Sequence, residues 1–260
     1  LMYITMTGPC SGLPVYKLES FNIWEPDTGI YYGRGATQRL TQELQRRREA
    51  GVGSSRSPFS EFDPRVIKDK ATLPALNARI AFRKISSRTN SRTMIAALVP
   101  PETTLTDGAP YLLRPRGDEV DEAFVLGMLC SVPLDWAARN VVEVNVNYPQ
   151  VNSLPIPDPG PGHPLRDRVV VIAGRLAAVD DRFQVWAKAV GVSIGSVKTE
   201  SEKNDLIAEL DALVSMLYGL TRSQVEHIFA SFHRGWDYQP RLAAVLKHFD
   251  AWSARLEGGR

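Results

Sequence analysis

The sequence has few cysteines and no long apolar run. Its 260 residues include two cysteines, Cys10 and Cys130, which are too few for a disulfide framework or a four-thiolate metal site. We therefore expect a reducing, cytoplasmic setting. No stretch approaches the roughly 18 uninterrupted apolar residues of a membrane span, which argues against an integral membrane protein. The start, Leu1 to Thr5, lacks signal-peptide features and an initiator methionine, so we expect a fragment of a longer protein.

The net charge is small, but the charges are unevenly distributed. The chain carries 31 Lys and Arg residues against 29 Asp and Glu residues. From Arg34 to Arg92 there are fourteen basic and five acidic residues, whereas from Val99 to Gly160 there are three basic and nine acidic ones. Charge runs are usually solvated surface, but this basic segment alternates arginine with serine, threonine and asparagine. That pattern favours contact with a polyanion.

Proline and glycine divide the chain near residue 160. Residues 157–162 contain three prolines and two glycines, a density that neither a helix nor a central strand tolerates. We expect an α+β protein in two domains. Residues 1–160 would form a mixed strand and helix domain, and residues 161–260 an all-α helical domain.

Short elements are predicted in the first part. Polar residues around two leucines indicate an exposed helix at Thr37–Ala50, and apolar runs indicate strands at Ile80–Phe82 and Met94–Val99. Asp118 is placed to cap a helix with an acidic first turn. The alternation within Val141–Tyr148 is the clearest strand pattern in the sequence.

Helical periodicity dominates the second part. Apolar residues separated by three and four positions predict one helix of about 26 residues, near 39 Å long. They are Leu165, Val169, Ile172, Leu176, Val179, Phe183, Trp186 and Val190. A second stripe ends at Gly219, a capping box of Thr221 and Gln224 opens a third helix, and Pro240 suits the first turn of a fourth.

Common catalytic motifs are missing from the sequence. Gly51-Val52-Gly53 lacks the third glycine of a dinucleotide loop and follows a charged helix rather than a strand. The four histidines are too scattered for metal ligation, and the acid-plus-lysine spacing between Glu61 and Lys70 has no obvious strand to present it. We therefore expect no catalytic, cofactor or metal site in this chain.

Polar clusters suited to nucleic-acid recognition are present instead. Arg and Lys neutralise phosphates, and Arg, Asn and Gln make bidentate contacts with base edges. We predict that the nucleic-acid-binding residues are Arg46, Arg47, Arg48, Arg83, Lys84, Arg88, Asn90, Arg92, Arg139, Asn145, Asn147 and Gln150. Each cluster alone is typical of a turn or strand edge, but together they favour recognition of a nucleic acid.

Several segments, in order, resemble large bacterial adenine-N6 DNA methyltransferases. Residues 79–100 look like the target-recognition segment of that family. Residues 130–139 resemble its Asn-Ser-x-x-x-Asp-Trp-x-x-Arg segment, with Cys130 in place of the asparagine. Residues 151–157 resemble its exit motif, and residues 210–220 its C-terminal helical region. The similarity spans about residues 13 to 250, nearly the whole chain.

The resemblance implies a function and a set of partners. Members of this family act in restriction–modification and in BREX- and DISARM-type phage defence. By this resemblance, the chain is the part that docks double-stranded DNA, cut from an N-terminal methyltransferase domain. S-adenosylmethionine and the catalytic Asn-Pro-Pro-Tyr/Phe motif would belong to that other domain. The alternative is a protein-interaction module that docks another subunit of a defence complex.

Overall fold

The computed structural model describes residues 12–86 and 90–258. These residues form an α+β fold with small sheets in the first part and helices in the second. The strands are β1 (Leu13–Tyr16), β2 (Gly33–Gly35), β3 (Arg79–Phe82), β4 (Ala96–Val99) and β5 (Thr104–Leu105). The helices are α1 (Thr37–Ala50), α2 (Pro64–Lys68), α3 (Glu119–Cys130), α4 (Val132–Ala138), α5 (Tyr148–Asn152), α6 (Pro164–Ala177), α7 (Gln184–Val190), α8 (Glu200–Leu217), α9 (Arg222–Phe232) and α10 (Gln239–Gly258).

The described strands form two small sheets. In the first, β1 lies between β2, to which it is antiparallel, and β5, to which it is parallel. In the second, β3 and β4 pair antiparallel, with Ile80 opposite Leu98. Every residue of β3 and β4 is buried, as their short, continuous apolar runs predict. The two strands predicted from these runs are confirmed.

Capping residues fix the starts of two predicted helices. The Asp118 side chain accepts hydrogen bonds from the backbone N–H groups of Val120 and Asp121, at 2.9 and 3.1 Å, and opens α3. Gln224 accepts from the backbone N–H of Thr221 at 2.8 Å and completes the capping box of α9. Such side chains satisfy N–H groups that have no partner within the helix, typically worth about 1 kcal/mol each.

The single long helix predicted from Leu165 to Val190 is wrong. The chain forms α6 and α7 instead, because Ala178 leaves the helical conformation with a ψ of 67°. Asp180 then accepts a hydrogen bond from the N–H of Arg182 and starts a short 3-10 turn before α7. Val179, in the break, is 39% exposed, whereas the other members of the apolar stripe are buried.

The strand predicted at Val141–Tyr148 is also wrong. Val142 and Val146 are buried but Val144 is 62% exposed, so the side chains do not alternate between two faces. Only Asn145 makes a β-bridge in this segment, and Tyr148 already begins α5, with a proline in its first turn. The buried side chains of Val142 and Val146 anchor an irregular loop instead of a strand.

One hydrophobic cluster includes residues from both sides of residue 160. Phe82 and Leu126 belong to it together with Ile172 and Leu210. Helices α3 and α6 approach closely at Gly127, where an added Cβ would lie 2.7 Å from a methyl group of Val169. The division into domains 1–160 and 161–260 stays a prediction, and the packing across it is continuous. A second cluster joins α8, α9 and α10.

Cys130 lies at the end of α3, against β4. Its side chain is buried, and its Sγ lies 3.4 Å from the backbone oxygen of Ala96. Burial raises the pKa of this thiol to about 12. Cys10 lies outside the described residues. In the described part of the chain, no helix is both long and apolar enough to cross a membrane.

Candidate nucleic-acid interface

Two polar clusters that are distant in the sequence lie side by side in the fold. The backbone N–H of Ser86 donates to the oxygen of Val144 at 3.1 Å, and the N–H of Val146 donates to the oxygen of Lys84 at 2.7 Å. Between them, Ile85 and Asn145 form an antiparallel bridge. This pairing joins the end of the segment after β3 to the loop before α5, so the predicted clusters share one surface.

The loop before α5 presents a group of neutral amides, which we call the amide patch: Asn140, Asn145, Asn147 and Gln150. The three asparagines are exposed and Gln150 is half-buried. The four residues line a shallow cavity of about 330 Å³ together with Glu143. Gln150 Oε1 accepts from the backbone N–H of Asn147 at 2.9 Å, which fixes the turn into α5. The predicted residues Asn145, Asn147 and Gln150 are therefore brought together.

Exposed apolar side chains surround the amide patch. Ile85, Val141, Val144 and Tyr148 are all between 47% and 62% exposed. The Tyr148 ring is held in place because its edge packs on Phe82 and its hydroxyl donates to a backbone oxygen. These four residues are not among the sequence-predicted site residues. In the sequence, Val141, Val144 and Tyr148 interleave with the asparagines, but the same alternation predicts a strand and so hides their exposure.

Arg92 is largely buried and its guanidinium is bound by other groups of the protein, so its predicted contact with a base stays a prediction. Its Nε donates to Asp135 Oδ2 at 2.5 Å, and its Nη2 donates to the backbone oxygens of Cys130 and Ser131. Asp135 is fully buried and also accepts from the N–H of Met94 at 2.9 Å. Arg92 therefore ties the segment before β4 to the junction of α3 and α4.

Arg139 holds the segment that contains Asn90. Its Nη2 donates to the backbone oxygens of Asn90 and Ser91, at 2.8 and 2.9 Å. Its guanidinium lies 4.0 Å from the centre of the Phe232 ring, an energetically favourable cation–π arrangement. Asn90 itself is exposed. The geometry makes Arg139 a positioning residue for Asn90, and its predicted contact with DNA stays a prediction.

The other predicted residues near β3 have mixed environments. The Arg83 guanidinium donates twice to the backbone oxygen of Phe21, and burial lowers its pKa. Lys84 pairs with the exposed Asp107, with 2.6 Å between Nζ and Oδ2, and stays partly exposed. The predicted Arg88 lies outside the described residues. Arg83 and Lys84 are both half-buried, and Asn90 is the exposed member of this cluster among the described residues.

The three consecutive arginines of α1 divide between surface and interior. The side chains of Arg46 and Arg47 are 68% and 61% exposed and share Glu43 as an ion-pair partner. Hydrogen bonds from both arginines lower the pKa of Glu43 to about 2. Arg48 is 3% exposed and donates to the backbone oxygens of Ile67, Asp69 and Thr72. The structure therefore corrects the prediction that Arg48 contacts phosphates.

The described residues do not fit the cofactor that the resemblance implies. Binding of S-adenosylmethionine in such enzymes needs a parallel, helix-flanked sheet, whereas the sheets here have three and two strands with one parallel pair. Among residues 12–86 and 90–258, no group of three or more His, Cys, Asp or Glu side chains is arranged to hold a metal ion.

The amide patch, the apolar residues around it, and the partly exposed Lys84 and Asn90 together form the candidate interface. Apart from Lys84, its hydrogen-bonding side chains are neutral amides, and the backbone beside them is paired with a neighbouring segment. Comparison with known proteins adds no relative to this description: no protein-family model matches the chain, and no curated protein is detectably similar to it.

Proposed function

We propose that this chain recognises a target sequence in double-stranded DNA. It would be the specificity part of an adenine-N6 DNA methyltransferase whose catalytic domain, with its S-adenosylmethionine site, lies outside these residues. The observation that carries the proposal is the pairing of residues 84–86 with residues 144–146. This pairing supports an exposed surface of several amides, and the family resemblance of the sequence agrees with it.

The chemistry of the amide patch suits A·T base pairs. An Asn or Gln side chain can accept from N6 and donate to N7 of adenine in the major groove, and an apolar side chain can contact the thymine methyl group. Asn145 and Asn147 offer the amides, and Ile85 and Val144 offer the adjacent apolar groups. Because the backbone beside them is already hydrogen-bonded, less conformational freedom would be lost on binding.

Contacts with the DNA backbone would come from the accessible cations. Arg46 and Arg47 are the exposed arginines at the end of α1, and Lys84 is partly exposed beside the bridge. Each phosphate contact contributes about −0.9 to the slope of log K against log salt concentration. Replacing Arg46 and Arg47 together would flatten that slope by up to about 1.8, with little change in sequence preference.

The test begins with selection of bound duplexes from a randomised DNA pool. Fluorescence anisotropy then measures the affinity for the selected sequence and for unrelated DNA. Asn145→Ala and Asn147→Ala should each weaken binding of the selected sequence by about 1–3 kcal/mol. Their affinity for unrelated DNA should change little. Asn204→Ala is the matched control, because Asn204 is also an exposed asparagine but lies on α8.

Two results would contradict the proposal. One is the absence of any sequence preference in the selected pool at low salt. The other is an equal loss of affinity in the Asn145, Asn147 and Asn204 variants. A chain with no affinity for DNA would favour the second candidate, a module that docks another protein subunit, for which the exposed Ile85 and Val144 are the supporting observation.

A further inference from the structure

A separate cavity of about 570 Å³ lies between the end of α1, the loop at residues 51–59 and β5. Its volume is within the range of small-molecule sites in proteins, about 300–1,000 Å³. Leu40, Leu44 and Leu73 form apolar walls, and the rings of Phe59 and Tyr111 also line it. The cavity therefore offers both aliphatic and aromatic surface to a ligand.

The cavity is lined by four arginines: Arg47, Arg48, Arg56 and Arg79. None of the described residues that line it is Asp or Glu. Arg47 and Arg56 are exposed, whereas Arg48 and Arg79 are 3% and 5% exposed. A concentration of positive charge at one cavity, with no acidic residue in its described lining, favours a ligand that carries several negative charges.

The two buried guanidinium groups are held by backbone oxygens rather than by carboxylates. Arg79 donates to the oxygens of Pro74, Asn77 and Thr103, at 2.7, 3.1 and 2.9 Å. Arg48 likewise donates to backbone oxygens and to one threonine hydroxyl. Carbonyl groups satisfy donors but carry no net charge, so these contacts do not neutralise the two cations. Buried charges in proteins are usually paired.

Arg79 also has a donor without a partner. Its Nε is buried and makes no hydrogen bond to any described residue. Burial lowers the pKa of Arg79 to about 10, because the charged form loses its contact with water. A bound anion could accept a hydrogen bond from this N–H group and offset the charge at the same time.

We propose that this cavity binds a nucleotide, that is, a small organic polyphosphate with a flat aromatic base. The phosphates match the exposed Arg47 and Arg56 and the unpartnered Nε of Arg79, and the base matches the apolar walls and the rings of Phe59 and Tyr111. Inorganic phosphate would leave the apolar surface unused, and an uncharged aromatic molecule would not offset the charges of Arg56 and Arg79. The site is distinct from the amide patch, and its test with ADP does not require binding of DNA, although Arg47 also belongs to the DNA-backbone contacts proposed above.

Isothermal titration of the whole chain with ADP tests this assignment, with adenosine and inorganic pyrophosphate as the two partial ligands. ADP should bind, pyrophosphate should bind at least about tenfold more weakly, and adenosine should show no measurable heat. Arg47→Gln and Arg56→Gln should each lower the affinity for ADP by about tenfold or more, because each removes one charge-assisted hydrogen bond. Both residues are exposed, so both variants should fold.

Arg46→Gln is the matched control. Arg46 is on the same turn of α1 and pairs with the same Glu43, but it does not line the cavity. The affinity of the Arg46→Gln variant for ADP should equal that of the parent chain. Phe59→Ala should lower the affinity for ADP more than the affinity for pyrophosphate, because only ADP has a base to pack against the ring.

Three results would overturn the proposal. The first is no heat with ADP at concentrations up to about 1 mM, the weak end of specific affinities. The second is an equal loss of affinity in the Arg46 and Arg47 variants, which would indicate general attraction of anions to α1. The third is pyrophosphate binding as tightly as ADP, which would show that the base makes no contact with the protein.

Discussion

The end of α1 and the junction of α3 and α4 both enclose an arginine, but with different partners. At the junction, the Arg92 guanidinium meets the buried carboxylate of Asp135. Near α1, Arg48 meets the backbone oxygens of residues 66–72. The first arrangement cancels the charge, whereas the second satisfies the hydrogen-bond donors and leaves the charge in place. An arginine in a basic segment can therefore be interior structure, and its partner determines what its removal costs.

The largest effect is expected at the ion pair. Asp135→Ala should lower the free energy of unfolding by about 3–5 kcal/mol, because it leaves the largely buried Arg92 without its counter-charge. It also removes the acceptor for the N–H of Met94. Urea denaturation followed by circular dichroism measures the change.

An exposed ion pair supplies the control for this variant. Asp107→Ala breaks the pair with Lys84, but the Asp107 side chain is 91% exposed, so the loss should stay within about 1 kcal/mol. If Asp135→Ala and Asp107→Ala lower the free energy of unfolding equally, burial does not determine how much the Arg92–Asp135 ion pair contributes to stability.

A smaller effect is expected at the carbonyl-bound arginine. Arg48→Met keeps much of the apolar stem but leaves backbone oxygens near Ile67 and Thr72 without their donor. The free energy of unfolding should fall by about 1–3 kcal/mol. Arg47→Met, at the exposed neighbouring position, should change it by no more than about 0.5 kcal/mol. Equal free energies of unfolding for Arg48→Met and Arg47→Met would mean that the hydrogen bonds of Arg48 do not stabilise the fold.

The smallest effect concerns a buried carboxylate with a neutral partner. Glu122 accepts from the Trp186 indole N–H at 2.9 Å, and burial raises its pKa. A raised pKa in the folded state means that the folded protein binds the proton more tightly, so stability falls as pH rises from the ordinary glutamate pKa through the raised one. Glu122→Gln keeps an acceptor for Trp186 but removes the ionisation.

Thermal unfolding at a series of pH values measures that effect. In Glu122→Gln the loss of stability over this pH range should shrink, and the variant should be slightly more stable than the parent at neutral pH. An unchanged pH profile would show that Glu122 does not titrate over this range in the folded state.

The parts of the fold that local chemistry determines could be predicted from the sequence. The bounds of α1 and the starts of α3 and α9 follow from polar patterning and capping side chains within a few residues. The helix break at Ala178 could not, because distant contacts contribute to it. The oxygen of Ala178 accepts from the N–H of Gly195, and Arg182 pairs with Asp27 from the first part of the chain.

The candidate site was predictable in residue type but not in accessibility. Asn145 and Asn147 have the right chemistry and are exposed. Arg48 and Arg92 have equally suitable chemistry, yet carbonyl and carboxylate groups far along the chain enclose them. No sequence window contains both an arginine and the distant acceptor that occupies it. The bridge between Ile85 and Asn145 is non-local in the same way.

Because Cys130 is buried, chemical labelling of its thiol can be used to measure local opening of the fold. Thiol reagents attack the thiolate, and with a pKa of about 12 and no solvent access this side chain is protected twice in the folded state. Labelling therefore requires an opening of the core that exposes this side chain. In a chain whose Cys10 is replaced by serine, the labelling rate would therefore report how often this part of the core opens.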